Sequence, residues 1–493
     1  MSDDYARWDA TELAGLVASN ALGPQELVER AIAEIERVNP TLNAVAHRLY
    51  DQARANAAGL PDGPFRGVPI VVKDFDGFVR GVPFTAGSRF LQGFVPGHDS
   101  EAIARLRRAG FVFVATTTCP EFAILGTTES RRYGPTRNPY APDRSPGGSS
   151  GGSAALVAAG AVPIGHGGDG GGSLRIPASH CGLVALKPTR GRVPVGPDFG
   201  EIWGGYVQWG VLTRTVRDTA ALLDVMSGPM PGDAYAAPPL PGPLAAEVAR
   251  DPGRLRVGLH AGSLFGRHVH REHAAAVMIA ASQLSGLGHD VAEAKPEFER
   301  DALVRAYVTQ VAVGLAGEIE YFARVTGRTP RAELFEPETW FLHQVGRLVT
   351  GLELQGARDA ADAAARAAAR FHARYDLFLC PTVTHPPPRI GELALAMHQR
   401  AGLGLLRALP LGAALRRVAQ TLAEDLLERT PNTQLFNQTG QPAISLPLHR
   451  SAQGLPIGVQ LSAAAGREDL LIRVASQLEA AHPWAGHAPG ILA

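Results

Sequence analysis

A chain of 493 residues can bury a large core, and its 56 glycines and 38 prolines do not gather into one long linker. Its 47 Lys and Arg balance 47 Asp and Glu, which removes the electrostatic footprint of a nucleic-acid or anionic-membrane partner and leaves a small molecule as the expected ligand. Cys119, Cys181 and Cys380 are scattered and odd in number, which excludes a disulfide framework or a C-x-x-C zinc site, so each reads as a buried small hydrophobe.

The opening MSDDYARWDATELAGLV has neither a basic n-region nor an h-region, and no run reaches about 18 apolar residues, so a cytoplasmic location is expected. Apolar positions recur at helical spacing from Asp9 to Val38, predicting two amphipathic helices in ATELAGLV and PQELVERAIAEIERV. The block GPFRGVPIVVKDFDG predicts a short buried strand from Val68 to Val72, with Lys73 and Asp74 at its end. Residues 100 to 118 read as helix then strand. The alternation recurs at SAALVAAGAVPIG, and again at RLRVGLHAG followed by AAAVMIAASQLSGLGHDVAEA. It predicts an α/β fold with a mostly parallel or mixed central sheet covered by helices on both faces. The Pro-, Ala- and Gly-rich stretch 229–252 reads as a surface connection. His268, His270 and His273 have no other ligand type beside them, which predicts a solvated helix entrance and no metal. Residues 393–427 carry Leu and Ala at helical spacing, broken at Pro410. In a neutral chain they read as a lid or a subunit contact before a membrane-surface helix.

The densest chemical signal is SPGGSSGGSAALVAAGAVPIGHGGDGGGSLRIPASHCGLVALKPTRGR, residues 145–192. Two Gly-Ser clusters flank a predicted helix and strand, so both loops return to one end of the sheet. Gly165-x-Gly167-x-x-Gly170 matches a dinucleotide fingerprint in form only. Gly171, Gly172 and Pro177 deny it the helix, and Arg190 stands where its acidic residue belongs. Neither cluster holds the lysine of a phosphate loop, and no cofactor is expected. Gly147-x-Ser149-x-Gly151 and Gly148-x-Ser150-x-Gly152 match a nucleophile elbow, which leaves an α/β-hydrolase with a histidine base as a rival. That mechanism gives GGDGGGSLRIP no role. A flexible linker is a poorer reading, because helix and strand signals follow at once. Glycines this dense beside a serine let backbone N–H groups approach a ligand atom, as an oxyanion hole requires.

With GVPIVVKD, TESRRYGPTRNPY, LKPTRGR, DLFLCPT, FNQTGQPAISLPL and GLPIGVQL, this block resembles the amidase signature family over nearly the whole chain. The resemblance implies one amidase-signature domain over 1–493, with a catalytic core at about 60–225, 375–390 and 430–470 and a variable substrate or lid region at about 300–430. It implies a triad of Lys73, Ser149 and Ser173, the serines 24 residues apart, with a cis peptide between Gly148 and Ser149. Ser173 is then the nucleophile, Ser149 the proton relay, and Lys73 a base that acts only when neutral. The N–H groups of Gly170, Gly171, Gly172 and Ser173 are expected to bind the oxyanion. Ser150 is expected to support the relay, Asp169 and Arg175 to hold the loop as a buried pair, and Ser153 to cap the AALVAA helix. Gly168 and Gly170 stand where many members carry Thr or Ser, which predicts a roomier, more mobile loop suited to bulky or secondary amides.

Within that family, HGGDGGGSLRIPAS, PTVTHPPPRIGEL and the GREDLL to HPW ending are most similar to the group that opens 6-aminohexanoate cyclic dimers. The resemblance implies an amidase, a hydrolase of carbon–nitrogen bonds other than peptide bonds, which takes small amides, anilides or carbamates through an acyl-enzyme. A second reading is the glutamine-hydrolysing A subunit of a tRNA-dependent transamidase, and a third is an inactive binding scaffold. The expected partner is a small-molecule substrate, without nucleic acid or membrane. A homodimer is left open.

Overall fold

The computed structural model describes residues 5–394 and 429–484. Its strands are β1 (Val45–Arg48), β2 (Pro69–Lys73), β3 (Val112–Thr117), β4 (Glu129–Ser130), β5 (Gly134–Pro135), β6 (Ile164–Asp169), β7 (Val184–Lys187), β8 (Gln208–Thr213), β9 (Arg256–Leu259), β10 (Asp290–Glu293), β11 (Leu377–Pro381), β12 (Ala443–Arg450) and β13 (Pro456–Ala463). Eleven form one sheet in the order β1-β3-β2-β6-β8-β7-β12-β13-β11-β9-β10, while β4 pairs with β5 alone. β2 lies parallel between β3 and β6, and β9 parallel between β10 and β11. The other pairs are antiparallel, so the sheet is mixed. Every residue of β2, β3, β6, β7, β8, β11 and β13 is buried, which requires cover on both faces.

That cover comes from α1 (Ala10–Ala18), α2 (Pro24–Leu42), α3 (Tyr50–Ala57), α4 (Glu101–Arg108), α5 (Gly151–Ala158), α6 (Arg175–Cys181), α7 (Val216–Met226), α8 (Arg271–Gly286), α9 (Arg300–Thr326), α10 (Pro337–Leu348), α11 (Gly351–His372), α12 (Gln434–Thr439) and α13 (Glu468–Ala481). α2 shows how the sequence writes such a helix. Pro24 fixes the first turn, Leu27, Val28, Ala31, Ile32, Ile35, Val38 and Leu42 bury one stripe, and Asn43 ends it in the left-handed region. α9 is long and apolar enough to cross a membrane by length and composition, and here it packs against α10 and α11.

Three local expectations need correction or limits. Ser153 does not cap its helix: α5 starts at Gly151, and the Ser153 hydroxyl donates to the His166 carbonyl at 2.9 Å and pairs with Thr117 at 2.8 Å. Strand neighbours satisfy that hydroxyl, so it fastens α5 to β6 and β3. Of the three clustered histidines, His270 does cap α8, accepting from the Glu272 amide, but His273 is buried with a ring nitrogen 2.9 Å from the Val383 carbonyl. Burial there holds His273 down at about 4. The amphipathic stretch 393–427 lies outside the described residues from 395 onward. The stretch 229–252 runs largely irregular, pinned by buried Leu244 and Glu247, and all three cysteines are buried.

α1 is held at its start by a side chain 208 positions away. The Asp218 carboxylate accepts from Ala10 N at 2.7 Å, Thr11 N at 2.9 Å and the Thr11 hydroxyl at 2.7 Å. Asp218→Ala strips those donors of their acceptor and is expected to cost about 1 to 3 kcal/mol, read from urea unfolding.

Candidate active site

β2 is an apolar run buried between β3 and β6, so Lys73 at its carboxyl end is enclosed on emerging from the sheet. Its Nζ donates to Ser149 Oγ at 2.8 Å and to the Asp76 carboxylate. Because β2 and β6 are parallel, the loop after Asp169 emerges beside Lys73. The loop before α5 arrives at the same place, with a cis peptide between Gly148 and Ser149. The Ser150 amide donates to the Ser173 carbonyl at 3.2 Å, which joins the two Gly-Ser loops, and the Ser150 hydroxyl donates to the Gly168 carbonyl at 3.3 Å. Lys73, Ser149 and Ser150 are fully enclosed while Ser173 is half-buried. The Ser173 hydroxyl makes no hydrogen bond among the described residues.

The second loop is shaped by Asp169 and Arg175, both without solvent exposure. Arg175 Nε donates to Asp169 Oδ2 and Nη2 to Oδ1, each at 2.9 Å. Nη1 reaches the Thr433 carbonyl and Gln460, and Nη2 also reaches Asn437 Oδ1. Burial alone raises the Asp169 carboxyl, but the Arg175 charge and hydrogen bonds, with Asn437, overcome it and hold the group at about 2. One oxyanion donor named from sequence needs correction. The Gly172 amide donates to Asp169 Oδ1 at 2.7 Å and is therefore engaged. The amides of Gly170, Gly171 and Ser173 have no acceptor among the described residues.

Nor is the loop roomier for its glycines. A Cβ on Gly168 would lie 2.5 to 2.7 Å from the Asp76 carboxylate atoms, and one on Gly170 would lie 2.9 Å from the Trp203 ring. Neighbours fill the space that absent side chains leave. Tyr307 on α9 brings its hydroxyl over Gly171, 3.5 Å from the Gly170 carbonyl, with its ring parallel to Tyr206.

Asp76, Glu318, His166 and Tyr307 are the members of this region that sequence reasoning missed. Asp76 had a signal: a second acid three residues after the lysine, before a glycine, in KDFDG. Its φ of 63° turns the chain back so that its carboxylate meets Lys73. Behind Lys73 lies a small cavity lined by Asp76, Phe78, Phe84, Trp209 and Glu318. Burial and then the Asp76 charge push the Glu318 carboxyl up to about 8. Burial and the Lys73 charge hold His166 down at about 3, and neither of its ring nitrogens has a partner among the described residues. Among those residues no three His, Cys, Asp or Glu side chains gather as a metal site.

Two measurements follow from these charges. Arg175→Met leaves the Asp169 carboxylate buried without its counter-charge and is expected to cost about 3 to 5 kcal/mol in urea unfolding. For Glu318, a carboxyl raised on folding, the stability it contributes is complete below about 4.5 and is lost as pH rises through about 8. The stability advantage of Glu318→Gln over the wild type is therefore expected to widen across that interval. A difference that stays constant with pH would contradict the assignment.

Residues 26–472 match the Amidase family model. The chain is 41% identical over 492 residues to the 6-aminohexanoate-cyclic-dimer hydrolases of Pseudomonas sp. (strain NK87) and of Paenarthrobacter ureafaciens, covering 98% of this chain and 97% of each of theirs. The solved structure of 6-aminohexanoate cyclic dimer hydrolase complexed with substrate superposes with a TM-score of 0.89 at 40% identity, over 99% of this chain and 100% of the other. A bacterial aryl acylamidase of the amidase signature enzymes superposes with a TM-score of 0.86 at 26% identity, over 98% of each chain.

Proposed function

This chain belongs to the amidase family, as an amidohydrolase of carbon–nitrogen bonds, and from that premise we propose that it works through Ser173, Ser149 and Lys73. The observation that carries the reading is the 2.8 Å hydrogen bond from Lys73 to Ser149, sealed from water beside a half-buried Ser173. Ser173 Oγ attacks the substrate carbonyl carbon; its proton passes to Ser149 as the proton of Ser149 passes to Lys73. The Gly170, Gly171 and Ser173 amides receive the oxyanion, each good donor contributing about 3 kcal/mol. Collapse breaks the C–N bond, and the leaving amine takes a proton back from Ser149. Water then releases the acid from the acyl-enzyme by the same path.

The 41% identity to cyclic-dimer hydrolases supports a secondary, cyclic amide as substrate, and the aryl acylamidase likeness keeps anilides and carbamates beside it. Tyr307 at the lip of the Gly loop supports the variable region at 300–430 as the source of specificity. Residues 1–493 are read as one domain, because a single sheet draws its strands from Val45 to Ala463.

Mass spectrometry of purified protein with 6-aminohexanoate cyclic dimer, an anilide, an aryl carbamate and glutamine tests the substrate class. Hydrolysis of the cyclic amide or the anilide without turnover of glutamine is expected. Glutamine as the sole substrate would favour a transamidase component instead. Lys73→Ala is expected to lower kcat/KM by about a thousandfold or more, and a variant that keeps most activity would point to a histidine base.

A further inference from the structure

We propose that the base of this site is the Lys73–Asp76 pair acting together, and that Asp76 takes over a proton when Lys73 receives one from Ser149. The inference rests on the triad reading above and changes what its base must be. Lys73 Nζ donates at once to Ser149 and to Asp76, and all three side chains are buried. The pairing is built into the chain at two places. Asp76 adopts a φ of 63°, which returns its carboxylate to a lysine three residues earlier. On the adjacent strand, Gly168 leaves the seat open, since any Cβ there would stand 2.5 Å from the carboxylate carbon.

Four other titratable groups surround the pair. Glu318 on α9 faces the same cavity but is raised to about 8 by burial and by Asp76. His166 on β6 is held down at about 3 by burial and by Lys73, and burial pushes the Cys119 thiol well up. Asp74 turns away to Thr85 and Tyr133, and burial raises it to about 6.

A buried amine on its own must lose a proton before it can act. A lysine and a carboxylate holding one proton between them have a vacancy already, with the proton on the nitrogen and the empty place on the carboxylate. As the Ser173 Oγ–C bond forms, the Ser173 proton moves to Ser149, the Ser149 proton to Lys73 Nζ, and a proton of Nζ to Asp76. The pair passes from neutral to a single positive charge while the oxyanion acquires a negative one. When the C–N bond breaks, the protons return along the same line to the amine.

The test needs no knowledge of the natural substrate. An alkyl fluorophosphonate labels an activated serine by forming a P–O bond and expelling fluoride, with the serine proton going to the base. Its labelling rate at Ser173, followed by mass spectrometry against pH, reads the protonation of that base directly. For Asp76→Asn the acid limb is expected to move up by roughly one pH unit or more, with labelling near pH 7 reduced about tenfold and recovered in alkali. Gly168→Ala keeps the carboxylate but unseats it, so the same upward shift is expected even if Asp76→Asn does not fold. An unmoved limb in the folded variants would reduce Asp76 to a structural anchor. A downward shift would show that the amine works alone and that the carboxylate holds it protonated. Either outcome overturns the proposal, whereas a wild-type Ser173 that takes no label overturns the triad itself.

Discussion

Two opposite charges taken out of water are tolerable only when every remaining donor and acceptor is met, and Asp169 with Arg175 satisfies that condition inside this protein. The guanidinium reaches the Thr433 carbonyl, Asn437 and Gln460, and the carboxylate takes the amides of Gly172 and Leu174. Meeting those needs draws the loop after β6, helix α12 and strand β13 to one point, although the last two contribute residues more than 250 positions after Arg175. The same carboxylate also ties down amides of the loop itself. The ion pair engages the Gly172 amide, whereas the amides of Gly171 and Ser173 on either side have no acceptor among the described residues.

Much of this was legible in the sequence because close backbone approach and charge at a strand end both leave compositional marks. The run PIVVK announced a buried strand ending in an amine, and the two Gly-Ser clusters announced two loops at one end of a sheet. What escaped the reading depended on contacts between distant segments. The glycines at 168 and 170 looked like empty room, but the room belongs to Asp76 and Trp203, and periodicity carries no record of which side chain moves into a gap. Ser153 looked like a cap because caps are local. Its hydroxyl answers to strands that a linear pattern does not place beside it.

Placement of the chemical groups also depends on a second, aromatic body of packing. Phe78, Phe84 and Phe322 sit edge-on or stacked at 4.8 to 6.3 Å, and α9 is thereby pressed against the segment that follows Lys73. That packing brings Glu318, from a helix whose sequence holds no motif, to the cavity beside Asp76, and the same helix carries Tyr307 to the Gly170 carbonyl. A helix without a motif thus supplies walls around the motif residues.

The order of the strands carries a consequence for how the chain is made. β12 and β13, the last strands among the described residues, lie within the sheet between β7 and β11. During vectorial synthesis β1, β2, β3, β6, β7 and β8 on one side and β9, β10 and β11 on the other emerge before the pair that joins them, which leaves the edges of β7 and β11 without their partners. The hairpin that knits them together follows both in the chain, so until it emerges the nascent protein has unpaired edges for a chaperone to shield.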